Sequence, residues 1–216
     1  MLKGLIFDVD GVLVDSMPLH ADAWIETFRG VGIEVTRQDI YEIEGSNHVG
    51  VIEKMFKRNG RTPEASQFDE LLAIKRGIFL SKNDIEMFPE MDRCLKLLKN
   101  TYRLAVASGA DRTIVGKIID RFFPDTFDAI ISGEDVTKGK PSPEPYIKAL
   151  EMLGLNKEEC IVVENAPLGV ESAKEAGLYC VAVPTYVTAE KLEKADLILE
   201  DHVALKKYLK DLVERE

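Results

Sequence analysis

The sequence predicts an α/β fold in which a doubly wound parallel sheet, a Rossmann-like core, carries an inserted α-helical cap domain. Six short apolar runs predict the strands, and amphipathic helical patterns alternate with these runs from about residue 90 onward. After the first run, roughly 70 residues carry helical patterns and no strand, which is far more than a βαβ crossover needs. We therefore expect this helical stretch to be an insertion between the first strand and the rest of the core.

The six runs are nearly continuous in hydrophobicity, which is typical of strands that are buried on both faces of a parallel sheet. The predicted strands are Leu2–Val9, Leu104–Ala107, Ala129–Ile131, Ile161–Val163, Cys180–Val183 and Leu197–Leu199. No run reaches the roughly 18 apolar residues that span a bilayer, so we expect no membrane insertion. Two Asp residues come too early in the chain for a signal peptide, so we expect no secretion.

Residues that begin and end helices mark the segments between the later strands. Asp111 is predicted to cap the helix that follows it. Ser142 is predicted to cap another helix, with Pro143 at its first position. A third helix is predicted over Pro167–Ala176 and should end at Gly177, a typical helix-terminating residue.

The inserted cap is predicted to span residues 16–83, and the core to consist of residues 1–15 and 84–216. The cap helices are predicted over Leu19–Gly30, Val49–Asn59 and Glu64–Leu80. Because cap and core come from one chain, a monomer would suffice to build a site between them.

The net charge bears on which partners the protein binds, and the cysteine pattern bears on the compartment in which it works. The formal net charge is −10, with 28 Lys and Arg against 38 Asp and Glu in 216 residues. A net anion repels the phosphate backbone, so we expect no nucleic-acid partner, although a local cluster of donors can still bind one phosphate group. Cys94, Cys160 and Cys180 form no C-x-x-C pair, which predicts a reducing, cytoplasmic setting.

Two carboxylates, Asp8 and Asp10, follow the first predicted strand and precede Gly11, where the backbone can turn sharply. Residues two apart on a strand share a face, and ligands of open α/β sheets bind outside the carboxyl ends of the strands. Two neighbouring anions there favour a bound cation or a shared proton. Taken alone, the pair is explained equally well as a solvated strand end with acidic caps.

Three further segments place polar residues at strand ends or in turns. Ser108 and Gly109 follow the second predicted strand, and Lys140 lies in a Pro-rich turn before a helix. Glu164 and Asn165 follow the fourth predicted strand. Each segment alone is explained as a helix cap, a turn or a solvated lysine. Their joint occurrence, in the order acid–acid, hydroxyl, lysine and acid–amide, indicates one shared site.

These four segments, together with Gly169 after the last of them, resemble the haloacid dehalogenase superfamily, in the branch with a helical cap inserted after the first core strand. The resemblance covers nearly the full length. It implies that Asp8 is the nucleophile that forms an aspartyl-phosphate. It also implies that Asp10 protonates the leaving oxygen and then activates water, while Ser108 and Lys140 hold the phosphoryl oxygens.

The resemblance implies Mg2+ as the cofactor, held by Asp8, the backbone carbonyl of Asp10 and the acidic fourth segment. A divalent ion and an ammonium group offset the repulsion between a carboxylate and a phosphate dianion. Relatives often carry Glu-Asp where this chain has Glu164 and Asn165. Because Asn is a weaker ligand for Mg2+, both Glu164 and Asn165 stay candidate metal ligands.

At the start of the cap, the segment from Asp15 to Trp24 reads DSMPLHADAW. This segment is similar to β-phosphoglucomutase and its sugar-phosphatase relatives, which implies small phosphorylated sugars or sugar alcohols as substrates. The implied substrate-binding residues are His20, Trp24, His48 and Gly109. In mutases, a His at the position of His20 couples cap closure to proton transfer. Trp24 has a structural alternative, as a packing residue between cap and core.

A mutase must bind a second phosphate from its cap. The resemblance places an arginine for this purpose at His48 of this chain, a further cap lysine of mutases at Glu44 and a core lysine of mutases at Asp111. Loss of three such cations should weaken the binding of a bisphosphate, so we expect hydrolysis of phosphomonoesters rather than mutase action. Two rival interpretations are a phospho-acceptor receiver module, which carries no helical insertion, and a dehalogenase, which has no use for a second acid at Asp10.

Overall fold

The structure, a computed structural model, describes residues 1–82 and 84–214. The predicted cap boundary at residue 83 and the last two residues of the predicted core, 215 and 216, lie outside the described residues. The strands are β1 (Gly4–Phe7), β2 (Val14–Asp15), β3 (Glu86–Met87), β4 (Arg103–Ala107), β5 (Ala129–Ile131), β6 (Cys160–Glu164), β7 (Tyr179–Ala182) and β8 (Leu197–Ile198). The helices are α1 (Met17–Gly30), α2 (Arg37–Tyr41), α3 (His48–Arg58), α4 (Ala65–Ser81), α5 (Met91–Lys99), α6 (Arg112–Phe122), α7 (Glu144–Leu153), α8 (Pro167–Glu175) and α9 (His202–Glu214), with 3-10 helices at Lys157–Glu159 and Ala189–Leu192.

Within the described residues, six strands form a parallel sheet in the order β5-β4-β1-β6-β7-β8. All six predicted strands are confirmed. β1 lies near the centre, because the chain adds β4 and β5 on one side and then β6 to β8 on the other. Phe7, the last residue of β1, pairs with Val106 of β4 and Val163 of β6. The residues that follow these positions therefore emerge at one edge of the sheet, where the strand order reverses.

Helices cover both faces of the sheet. Leu5 and Phe7 of β1 belong to an apolar cluster with α5, α6 and α9. Ile6, which lies between them, belongs to a cluster with α7 and α8. Successive strand side chains point to opposite faces, so burial on both sides explains why the predicted strands are continuously apolar. The doubly wound core is confirmed.

Helices α1 to α4 pack around a separate apolar cluster. Trp24 stacks on Phe28 with ring centroids 5.2 Å apart, and Phe28 meets Phe56 edge-on at 6.4 Å. The three predicted cap helices are confirmed to within two residues at each end, and the described residues between β2 and β3 contain no strand. The inserted helical cap is therefore confirmed, whereas its boundary residues stay a prediction.

Sequence patterns do not reveal two local features at the cap. Helix α2 has five residues, which is too short to show a helical period, and a capping box between Thr36 and Asp39 begins it. Strands β2 and β3 have two residues each and pair antiparallel where the chain enters and leaves the cap. Such short elements depend on their surroundings rather than on their own pattern.

The prediction that Ser142 caps α7 is wrong by one residue. Pro143 occupies the N-cap position with helical dihedral angles, φ −70° and ψ −8°, so the helix begins at Glu144. The Ser142 hydroxyl still accepts the backbone N–H of Glu144 at 3.3 Å, from one position further out. Asp111, by contrast, caps α6 as predicted, because its carboxylate accepts the N–H groups of the second and third helical residues.

The helices have lengths that are ordinary for a globular protein. α4 has 17 residues, within the usual range. None of the helices in the described ranges is long and apolar enough to cross a membrane.

Candidate active site

Asp8 and Asp10 lie in the loop that leaves the central strand. β1 ends at Phe7, and Asp8 then donates its backbone N–H to the carbonyl of Val163 at 2.9 Å. The expectation that both acids share one face of a strand is therefore wrong. Asp10 lies in the turn beyond the strand, where Gly11 has a positive φ of +84°. This turn, rather than the strand period, places both buried carboxylates on the wall of one cavity.

Lys140 forms ion pairs with one residue of the first polar segment, Asp8, and one residue of the fourth, Glu164. Its buried ammonium group lies 2.5 Å from Oδ1 of Asp8 and 2.6 Å from Oε1 of Glu164. Burial opposes the charge of Lys140, but the two carboxylates outweigh burial and raise the pKa of Lys140. Burial also raises the pKa of Asp8, against the effect of Lys140. With Asp8 ionised, two anions surround one cation and leave a net negative charge, which favours a further cation.

Glu164 is saturated with hydrogen-bond donors. Oε1 accepts from Lys140 and, at 2.7 Å, from the hydroxyl of Tyr146. Oε2 accepts the backbone N–H groups of the next two residues, at 2.8 and 3.0 Å. A Cβ at position 169 would lie 1.7 Å from Oε1, so the segment requires Gly169. Glu164 therefore positions Lys140 and has little capacity for another ligand.

Asp10 is held by three hydroxyl or imidazole donors. Oδ1 accepts from the hydroxyl of Ser16 at 2.5 Å and from Nε2 of His20 at 3.0 Å. Oδ2 accepts from the hydroxyl of Ser108 at 3.1 Å. Burial opposes ionisation, but His20 and Ser16 outweigh burial and lower the pKa of Asp10. Ser16 is a buried part of this arrangement that sequence patterns do not single out.

A buried lysine of the cap, Lys75 on α4, extends this network. Its side chain meets Nδ1 of His20 at 2.7 Å, and the residue is only 3% exposed. Because Nδ1 accepts from Lys75, His20 carries its proton on Nε2 and donates it to Asp10. Sequence patterns contain one signal for Lys75: it lies four residues from both Leu71 and Phe79, on the buried stripe of α4.

Burial lowers the pKa of Lys75 from 10.5 to about 8, which predicts a pH dependence of stability. Between these values the unfolded chain binds the proton and the folded chain does not, so Lys75 should contribute a rise of up to about 3 kcal/mol with pH to the free energy of unfolding. Above about pH 9.0 the buried thiols of Cys160 and Cys180 act in the opposite direction, because burial raises their pKa values. The difference in the free energy of unfolding between the wild type and Lys75→Met should therefore grow with pH, whereas the difference between the wild type and Lys54→Met, at an exposed position, should not. Urea unfolding of the three proteins between about pH 7.5 and 10.5 measures these differences. A constant difference between the wild type and Lys75→Met over this range would contradict the assignment.

A loop of the cap rests on the core beside these residues. A Cβ at Gly109 would lie 2.5 Å from the carbonyl oxygen of Gly45 and 2.7 Å from that of Ser46. In the same loop, Oε1 of Glu44 accepts from Nδ2 of Asn165 at 2.8 Å. Gly109 therefore leaves room for the backbone of the closed cap, a task that its place after a strand does not reveal.

A cap arginine lies near the position where a mutase lysine is expected. Nε of Arg76 lies 2.9 Å from Oδ1 of Asp111, and its guanidinium lies 3.4 Å from Glu134. Two carboxylates thus engage this cation. Arg76 ties the cap to the core instead of presenting a free charge to a second phosphate.

A cavity of about 50 Å³ lies between cap and core. Its wall includes every predicted cap residue and three predicted core residues, namely His20, Trp24, His48, Asp8, Asp10 and Gly109. At roughly 10–15 Å³ per water molecule, the cavity holds only a few waters. A sugar phosphate needs more room than this cavity offers, and movement of the cap would provide it.

The residues present fit a magnesium site made from oxygen ligands. In the described part of the chain, no three side chains of His, Cys, Asp or Glu are grouped closely enough to hold a metal ion. Neutral oxygens would therefore have to take part. Oδ1 of Asn165 is buried without a hydrogen-bond partner, and Asp8 lines the cavity nearby. Mg2+ commonly takes one or two carboxylates and fills its remaining positions with other oxygens.

A family model described as a haloacid dehalogenase-like hydrolase matches residues 2–177. The chain belongs to this hydrolase family. Membership confirms the resemblance seen in the four segments and identifies the protein as an enzyme. It does not support the interpretation as a receiver module.

Relatives of this hydrolase include phosphatases and mutases. Hexitol phosphatase A from Escherichia coli is 28% identical over 204 residues, covering 91% of this chain and 90% of that protein. Beta-phosphoglucomutase from Bacillus subtilis is 29% identical over 190 residues, covering 84% and 83%. The crystal structure of CbbY from Rhodobacter sphaeroides in complex with phosphate is 26% identical, with a TM-score of 0.81 and coverage of 95% and 96%.

The structure of the hydrolase brings the predicted core residues together in one buried site, comprising Asp8, Asp10, Ser108, Lys140, Glu164 and Asn165. Of the predicted cap residues, His20 contacts Asp10, whereas Trp24 and His48 lie on the cavity wall. Their catalytic and binding roles stay predictions. Ser16, Glu44, Lys75 and Tyr146 join the arrangement without having been singled out for it by sequence patterns.

Proposed function

We propose that this hydrolase is a Mg2+-dependent phosphatase that releases phosphate from small phosphomonoesters through an aspartyl-phosphate at Asp8. The observation that carries the proposal is a pair of carboxylates in unlike environments. Asp8 is paired with an ammonium group at 2.5 Å, whereas Asp10 is held by Ser16 and His20. Such a difference suits one carboxylate for attack and the other for proton transfer.

In the first step, a carboxylate oxygen of Asp8 attacks phosphorus, and the bond between phosphorus and the leaving oxygen breaks. Lys140 offsets the negative charge that Asp8 and the phosphate bring together. Asp10 delivers a proton to the departing oxygen. The phosphate dianion opposes a second negative charge nearby, which favours the protonated form of Asp10 once substrate is bound.

In the second step, ionised Asp10 takes a proton from a water molecule as that water attacks phosphorus, which frees phosphate and restores Asp8. Ser16 and His20 stabilise this ionised form and fix its orientation. Lys75 holds His20 in the tautomer that donates to Asp10. Because His20 and Lys75 both belong to the predicted cap, cap closure and proton transfer are linked.

The proposed Mg2+ ligands in the core are the Asp8 carboxylate, the backbone carbonyl of Asp10 and Oδ1 of Asn165. Glu164 is less suited, because hydrogen bonds already engage both of its oxygens. We assign Glu164 to holding Lys140 in place. When bound, the ion offsets charge on the phosphoryl group during transfer.

The proposed substrates are phosphorylated sugars or sugar alcohols. The names of two relatives, hexitol phosphatase A and beta-phosphoglucomutase, support this class. Trp24 and His48 on the cavity wall would contact the leaving group. Ser108 and Gly109, at the end of β4, would bind the phosphoryl oxygens.

Mutase action is the alternative within the family. Glu44 accepts from Asn165, and Asp111 pairs with Arg76, so two of the three expected cation positions hold engaged carboxylates. This arrangement favours hydrolysis, since a second phosphate needs positive partners on the cap.

Phosphate release from a panel of small phosphomonoesters, with and without Mg2+, tests the proposal. We expect the chelator EDTA to lower the rate at least about 100-fold, and excess Mg2+ to restore it. Absence of phosphate release from the whole panel, or release that EDTA does not affect, would contradict the proposal. Conversion of β-glucose 1-phosphate to glucose 6-phosphate without phosphate release would establish the mutase instead.

A further inference from the structure

Two buried oxygen atoms at the contact between the cap loop and the fourth segment lack a hydrogen-bond partner among residues 1–82 and 84–214. They are Oε2 of Glu44 and Oδ1 of Asn165. Glu44 is 4% exposed, and Asn165 is 0% exposed. A buried oxygen without a donor is costly, and more so when it carries charge. Both atoms therefore need a ligand.

The two side chains already orient each other. Nδ2 of Asn165 donates to Oε1 of Glu44 at 2.8 Å, which leaves the amide oxygen and the second carboxylate oxygen free. Asn165 directly follows β6, whereas Glu44 comes from the cap loop. One neutral and one anionic oxygen are the donor types that a hard divalent cation takes.

Among residues 1–82 and 84–214, no positive side chain neutralises Glu44. In the part of the chain that the structure describes, no nitrogen of Lys, Arg or His lies within 4.0 Å of its carboxylate. Burial, opposed by the Asn165 hydrogen bond and reinforced by Asp8, raises the pKa of Glu44 well above its usual range. A divalent cation accounts for both free oxygens at once. It also offsets the repulsion among the four neighbouring carboxylates of Asp8, Asp10, Glu44 and Glu164.

We propose that Glu44 is a ligand of the divalent cation and supplies, from the cap, the negative charge that the fourth segment lacks at Asn165. The inference rests on the proposed function, because this cation is the one that phosphoryl transfer requires. Sequence comparison alone treats Glu44 as the loss of a mutase lysine. The structure instead supports a functional role for Glu44, as a ligand of the cation.

Ligation from the cap would couple metal binding to cap closure. The loop that carries Glu44 rests on the core where Gly45 and Ser46 meet Gly109. When the cap opens, Glu44 leaves the core residues that hold the cation. High affinity for the cation then belongs to the closed form, and by linkage the cation favours closure.

Direct binding of Mn2+, a paramagnetic probe for a magnesium site, tests the inference without substrate. The dissociation constant is measured by electron paramagnetic resonance for the full-length wild type, Glu44→Gln and the double variant Glu44→Gln/Asn165→Asp. We expect Glu44→Gln to weaken binding about 10- to 100-fold. The double variant should regain most of the affinity, because it restores the negative charge from the core side. Glu42→Gln, an exposed change two residues earlier, should bind as the wild type does.

Melting temperatures in EDTA control for folding. Because burial disfavours an ionised carboxylate at Glu44 when no cation is bound, Glu44→Gln should melt at the wild-type temperature or above in EDTA, and Mg2+ should stabilise it less than the wild type. Mn2+ affinity of Glu44→Gln within about twofold of the wild type would overturn the inference. So would the absence of saturable Mn2+ binding to the wild type. Failure of the double variant to recover would assign Glu44 to packing of the cap.

Failure of this inference is distinguishable from failure of the proposed function. Phosphate release combined with Mn2+ affinity that does not depend on Glu44 removes Glu44 from the metal site and leaves the phosphatase intact. Mn2+ binding that depends on Glu44, without phosphate release from any phosphomonoester, keeps the ligand and removes the phosphatase.

Discussion

Asp8→Asn is expected to lower phosphate release at least about 10,000-fold, the largest effect that we expect from one substitution. The amide cannot form an acyl phosphate with the substrate, and it loses the charge that pairs with Lys140. Lys140 keeps Glu164 as its second partner, so the variant should fold. The measurement is the initial rate on the best substrate of the panel at saturating Mg2+.

Asp15→Asn is the matched control for this variant. Asp15 is exposed on β2 and accepts a hydrogen bond from Tyr186 outside the cavity, so the rate should stay that of the wild type. Mass spectrometry of wild type quenched during turnover should find one phosphoryl group on the peptide that contains Asp8. A rate for Asp8→Asn within tenfold of the wild type would rule out covalent catalysis at Asp8.

Asp10→Asn is expected to lower turnover of a sugar phosphate by about 100- to 10,000-fold, because the departing alkoxide then receives no proton. The loss in the first step should be smaller for an aryl phosphate, whose leaving group needs less protonation. Since water activation in the second step is also lost, the aspartyl-phosphate should accumulate with the aryl substrate. Rapid-quench kinetics and mass spectrometry measure both effects.

Asp120→Asn, an exposed change on α6, provides the control for Asp10→Asn and should leave both substrates unaffected. If the Asp10→Asn variant kept the wild-type rate on the sugar phosphate, Asp10 would not be the proton carrier. Equal losses for the two leaving groups, without an accumulated phosphoenzyme, would lead to the same conclusion. Preserved secondary structure by circular dichroism would show that the loss is catalytic.

The core part of the site can be predicted from the sequence, because most of its residues lie at the ends of recognisable apolar strands. Asp8, Ser108 and Glu164 lie at the ends of β1, β4 and β6, and parallel strands bring such ends to one edge. The neighbour order, with β1 between β4 and β6, comes from the structure. So does the turn after Phe7, which replaces the strand geometry expected for Asp10.

The cap part of the site is only partly readable from sequence. The period of α4 could have marked Lys75 as a buried lysine, but it does not indicate that His20 is its partner. Ser16 lies just before α1 and resembles an ordinary N-cap, although its hydroxyl donates to Asp10 instead. Glu44 is a polar loop residue whose burial depends on the core that it meets.

Hydrophobic periodicity along the chain was enough to identify the six strands of the parallel sheet and the three long helices of the insertion, because these depend on neighbours a few residues apart. The four polar segments were recognised by their places at the ends of these strands or in a turn before a helix. The pairs Glu44–Asn165 and Lys75–His20 depend on how distant parts of the chain pack against one another. Periodicity indicates which face of a helix or strand is buried. It carries no information about which polar groups of distant elements contact one another in the buried interior. Three-dimensional packing was therefore needed to find the proton network and the proposed cap ligand.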